Sequence, residues 1–154
     1  AVQYLDEAVR QASAWMNQDL WLSIACAWMT EVWIQRRDFV AARDWLGRWL
    51  RQLMERVNQT RLLATIVAGL LAMEPGRGLG ALAMSARLWG AVDAISRRTG
   101  GAPLRLARHQ AEPRVAAARR RLGNPAWEKA FREGSTWTPE RIVVEVRGLL
   151  VDQE

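Results

Sequence analysis

No stretch of this chain sustains a period-two alternation of apolar and polar residues; its apolar residues recur three and four apart. That single feature removes most folds. Alternation puts one face of a strand on a core, whereas spacings of three and four draw a stripe along a helix. Leu5, Val9, Ala12 and Trp15 make the first stripe, over Gln3 to Trp15. Trp21, Ala25, Trp28 and Val32 make the second from Asp19 on, widened by Ile24 and Met29. Phe39, Ala42, Leu46, Trp49, Leu50 and Leu53 follow, then Leu62, Leu63, Ile66, Val67, Leu70 and Leu71. A fifth helix, from about Leu79 to Arg98, carries Leu82, Ala86, Trp89, Val92 and Ile95.

The punctuation between stripes is local and physical. Asn17 breaks the first pattern, and Arg36-Arg37-Asp38 makes a short polar turn. Asn58 can cap the fourth helix. Glu74-Pro75-Gly76-Arg77-Gly78 stops it, because proline has no N–H to give and glycine takes turn conformations without cost. The linker Thr99 to Pro103 is the clearest internal boundary. Beyond it Leu104, Ala107, Ala111, Val115, Ala118 and Leu122 form another stripe, and Pro113 inside it predicts a kink or a new helix start. Gly123 suits a C-cap; Asn124-Pro125 and Thr138-Pro139 both read as a cap followed by a first-turn proline. The expectation is an all-α fold of about eight helices, arranged as antiparallel hairpins. Residues 1–99 would form the hairpins, and 100–154 the C-terminal capping helices of the same domain.

Composition narrows the chemistry. The 154 residues hold one cysteine, Cys26, and one histidine, His109, so no intrachain disulfide forms and thiolate metal sites are excluded. His109 lacks an identifiable nucleophile or orienting partner, and an ordinary helix histidine is expected. Asp44, Glu55, Asp93 and Glu145 are single helical carboxylates, expected in surface ion pairs. Gly76, Gly78 and Gly80 follow no strand and precede no Gly-Lys-Ser/Thr, so they read as a loop between helices and not as a phosphate cradle. No enzyme, cofactor or metal is expected. No apolar run approaches the ~18 residues of a membrane span, and no signal peptide is visible, so a cytoplasmic location is expected. The chain opens on Ala1 and enters an amphipathic pattern at once, which predicts a piece of a longer protein.

The net charge of +6 is almost wholly arginine, Lys129 being the only lysine. Basic charge can serve nucleic acid, and Arg114, Arg119, Arg120 and Arg121 on the helix 114–121 are the candidate contacts. The arginines are interleaved with Asp and Glu, which favours a solvated charged surface. Nine tryptophans are the unusual feature. Trp15, Trp21, Trp28, Trp33, Trp45 and Trp49 crowd the first three helices. Packing between helices is the ordinary role; an aromatic surface for a peptide or small effector, built from Trp15, Trp21, Trp28, Trp33 and Trp45, is the functional one.

Leu20 to Glu55 resembles a tetratricopeptide unit. Trp33 precedes Ala42 by nine residues, and Leu46 and Trp49 follow by four and seven. A small alanine there lets two helix backbones approach. Arg37-Asp38-Phe39 stands where that family has Gly-Asp/Asn-Tyr. Ala86 takes the Ala42 role in a second unit, 44 residues on, which exceeds the ~34-residue standard period. The C-terminal third is similar to a narrower family. Ala86-Arg87-Leu88-Trp89-Gly90-Ala91-Val92-Asp93-Ala94 resembles the "AARLLGAAEAL" segment of bacterial regulatory ATPases. Arg121-Leu122-Gly123 with Ala126 to Gly134 resembles their "LGEAAFAAAWAEGRAL", and Thr138 to Val146 their closing "SLEEAVALAL" helix. Trp89, Pro113 and the glycine-rich insertion depart from the pattern.

That resemblance implies a tetratricopeptide-like α-solenoid with a helical cap. It would sit downstream of a signal-transduction NTPase, in a LuxR-type or Streptomyces antibiotic-regulator-type transcriptional regulator or a cyclase-linked protein. The implied role is non-enzymatic interaction and effector sensing. Homodimerisation through the N-terminal hairpin is the further expectation, from the apolar Leu5, Val9, Trp15, Trp21 and Trp28.

Overall fold

The computed structural model describes residues 7, 18–53, 57–99 and 105–151. They form seven helices and no strand: α1 (Gln18–Gln35), α2 (Phe39–Leu53), α3 (Val57–Met73), α4 (Gly78–Thr99), α5 (Arg105–Leu122), α6 (Asn124–Ser135) and α7 (Pro139–Val151). The chain is therefore all-α over the described residues. The helix expected over Gln3 to Trp15 lies, apart from Glu7, outside them.

Local chemistry sets the turns. Between α1 and α2 the Arg37 N–H donates to the Ile34 carbonyl and the Asp38 N–H to the Trp33 carbonyl, both at 3.0 Å. This double bond pattern ends a helix by turning one residue left-handed, and Arg37 is that residue, with φ 59°. The Asp38 carboxylate then accepts the Ala41 N–H at 3.0 Å and starts α2. Thr138 does the same for α7, its hydroxyl accepting the Arg141 N–H at 3.3 Å. Gly123 serves two helices at once. Its N–H closes α5 on the Arg119 carbonyl, and its own carbonyl accepts the first bond of α6 from Trp127. Its φ of 88° and ψ of 141° suit glycine alone. Asn124 accordingly belongs to α6 itself, with Gly123 in the capping position assigned above to Asn124. Asn58 likewise lies inside α3, one residue past its first described position.

Pro113 starts no new helix: α5 runs through it. The proline leaves one carbonyl a turn earlier without its usual donor, and the helix continues, packed on α3 and α4.

α3 is the axis of the molecule. Every residue from Thr60 to Ala72 is buried except Ile66, which is half-buried. A helix buried on all sides, with Thr60, Arg61 and Thr65 among its buried residues, needs neighbours on all sides, and α1, α2, α4, α5 and α7 all pack on it. α1 and α2 pack on each other, as do α3 and α4. α7 returns to α2 and α3. The larger core joins Met29, Ile34, Ala42, Leu46, Leu63, Val67, Leu88, Val92, Ile95, Trp137, Ile142 and Val146. A smaller one joins Ala72, Leu82, Ala86, Val115, Ala118, Trp127 and Ala130. Full burial of one large apolar side chain contributes about 1.5–3 kcal/mol.

α4 and α6 approach each other closely where Gly90 and Gly134 meet the opposing backbone. A Cβ on Gly90 would stand 2.9 Å from the Phe131 carbonyl carbon and 3.1 Å from the Ser135 nitrogen; one on Gly134 would stand 2.5 Å from the Arg87 Cα.

Candidate functional site

The tryptophan candidates separate by helix face. Trp45 is 8% exposed and belongs to the larger core. Trp33 is half-buried against that core, with the Arg36 guanidinium 5.7 Å above its ring. Trp28, five residues before Trp33 and so on another side of α1, is 45% exposed. Trp15 and the side chains of Trp21 and Trp49 lie outside the described residues. Among the described side chains, then, Trp28 is the aromatic that α1 offers to solvent, while Trp45 offers almost none of its ring.

The arginine candidates separate too. The Arg114 guanidinium grips the Glu31 carboxylate with two nitrogens, one bond at 2.6 Å and the other shorter. Gln35 donates to the same carboxylate at 3.1 Å. Arg119 donates to Asn124 at 3.1 Å and pairs with Glu128 at 2.5 Å. Arg120 and Arg121 are exposed. Four residues at 114, 119, 120 and 121 cannot share one helical face, because positions 114 and 121 align and 119 and 120 rotate away. The run therefore fails to make a single cationic stripe.

The remaining sequence candidates are described in part. Asp93 pairs with Arg97, and Glu145 lies 3.5 Å from Arg141. Asp44 is exposed. Gly76 and Gly78 take φ of 87° and 67° in the turn from α3 to α4, and Gly80 lies within α4. Glu55 and the side chains of Cys26 and His109 lie outside the described residues. Among the described residues no three His, Cys, Asp or Glu groups stand together as a metal site, and no helix is long and apolar enough to cross a membrane.

Two arrangements were invisible in the sequence. One is the Glu31–Arg114 pair, whose partners are 83 positions apart. The other is Glu74, held by Arg43 of α2 and, at 3.0 Å, by Arg77 of its own turn. No local spacing signals the Glu31–Arg114 or the Arg43–Glu74 contact. The Gly90–Gly134 crossing had a faint signal, a glycine within each of the two C-terminal motif segments.

No protein-family model, curated protein or solved structure matches this chain.

Proposed function

We propose that the chain is a non-enzymatic protein-interaction and effector-sensing module of a bacterial transcriptional regulator, with an NTPase upstream. The observation that carries this reading is the α4–α6 crossing. The two segments similar to those of the regulatory ATPases lie against each other, and the glycine of each, Gly90 and Gly134, sits where only a hydrogen fits. The motif glycines thus have one joint physical reason. The helix contacts are compatible with tetratricopeptide-like stacking: α1 packs on α3, α3 on α5, and α4 on α6. Ala42 and Ala86, the small residues of the two units, are both fully buried.

Recognition would use the outer side of α1 around Trp28, and a partner bound there would bias the upstream switch through its differential affinity for two states. A scaffold role in a cyclase-linked protein fits the same helices. Direct nucleic-acid binding is the weaker reading, since Arg114 and Arg119 already hold carboxylates.

Sequencing the gene upstream of the codon for Ala1 tests the reading. A P-loop NTPase in frame, preceded or followed by a DNA-binding domain, is the expected result. A cyclase domain in that place selects the scaffold reading, and a stop codon closely preceding Ala1 overturns both. A gel shift at low salt, where phosphate contacts are strongest, is expected to show no retardation.

A further inference from the structure

We propose that Glu31 and Arg114 form a latch that holds α5 closed over α3, and that α5 is the part of the molecule built to open. This goes beyond the interaction reading and does not depend on it.

Three observations converge on α5. The first is the small side chains that seat its described half. From Ala111 onward it buries Ala111, Val115 and Ala118, whereas α4 buries Leu82, Leu88, Val92 and Ile95. Small side chains bury little area, so the described side chains of this half of α5, from Ala111 on, contribute less hydrophobic free energy than the large ones of α4. It comes close because α3 is also small there: a Cβ on Gly69 would lie 3.9 Å from that of Ala111.

The second is the pair itself. α1 and α5 each pack on α3 and scarcely on one another, yet Arg114 crosses to Glu31 with a two-nitrogen grip. The side chains are 16% and 13% exposed. At that burial the attraction is less screened than in a surface pair, and either charge left alone is costly. The third is Pro113, immediately before Arg114. It interrupts the backbone hydrogen-bond ladder of α5 one residue from the latch, and such an interruption is where helices bend.

Together these give a half-helix seated on small side chains, with a built-in bending point and a strong polar tie beside it. Segments with few buried apolar contacts open locally before the whole fold does. With the tie broken, α5 lifts and uncovers the cluster that Val115 and Ala118 share with Ala72, Leu82 and Ala86.

Hydrogen exchange read by mass spectrometry on the whole chain tests this. Glu31→Gln and Arg114→Gln should each speed exchange of the α5 amides about tenfold, between the effects of an exposed and a buried pair. The amides of α4, α6 and α7 should keep their protection. The reversed pair, Glu31→Arg with Arg114→Glu, should restore slow exchange in α5. Faster exchange in all seven helices together would make the pair a general prop and overturn the latch. Unchanged exchange would overturn it as well, and so would a reversed pair that leaves α5 open.

Discussion

Gly90 and Gly134 face the backbone of each other's helix so closely that neither can carry a methyl group. The nearest opposing atoms are main-chain atoms of Phe131, Ser135 and Arg87, which cannot rotate aside as a side chain would. Gly90→Ala and Gly134→Ala should therefore each destabilise the fold at the upper end of overpacking, about 3 kcal/mol. Urea unfolding should show the midpoint falling. An unchanged midpoint would mean that α4 and α6 do not cross at these residues.

Gly47 is the internal control. It sits in the middle of α2 with nothing within 4 Å of a would-be Cβ. Gly47→Ala should raise stability by about 0.5–1 kcal/mol, the ordinary cost of a mid-helix glycine. Opposite signs at Gly47 and Gly90 in the same assay would separate backbone propensity from steric exclusion.

Arg37 carries a left-handed backbone, φ 59°, at the position where the tetratricopeptide resemblance has glycine. A Cβ in that region costs roughly 1–2 kcal/mol. Arg37→Gly should recover about 1 kcal/mol of it in thermal unfolding, with the helical circular-dichroism signal unchanged. A lower melting temperature would show that the Arg37 side chain matters more than its φ.

Trp127 is 3% exposed in the smaller core, and Trp28 is 45% exposed on α1. Trp127→Ala should cost about 3–5 kcal/mol. Trp28→Ala should stay within about 0.5 kcal/mol, as surface changes do. Two equal losses would place Trp28 in a core. In the regulatory reading, the same Trp28 variant should weaken partner binding while the melt stays unchanged.

The Glu140 carboxyl is held below the usual carboxylate range, first by its own backbone N–H and then by the Thr138 hydroxyl. A carboxyl with a lowered folded-state pKa stabilises the fold once pH is above its unfolded value. That contribution is lost as pH falls through the folded value. Glu140→Gln should flatten the acid limb of the stability curve and leave its alkaline limb alone. Identical acid limbs in both proteins would show that Glu140 makes no such bond in solution.

The primary structure alone determined where the helices run and how most of them begin and end. Those are short-range effects. The stripe Phe39, Ala42, Leu46 needs only a spacing; the Asp38 cap reaches three residues to Ala41, and Thr138 three to Arg141. Tertiary structure decided the rest. Pro113 stays inside α5, against its local preference, in a helix packed on α3 and α4. Whether Trp28 or Trp45 meets solvent depends on which side of its helix finds a neighbour: Trp28, on an apolar stripe in the sequence, is exposed, and Trp45, off the stripe, is buried. Arg114 reads in the chain as a candidate phosphate contact on an arginine-rich helix, yet its charge is spent on Glu31 of a helix that α5 hardly touches otherwise. Periodicity fixes a face; which distant backbone comes within reach of that face is set by packing around α3, and the sequence carries no spacing for it.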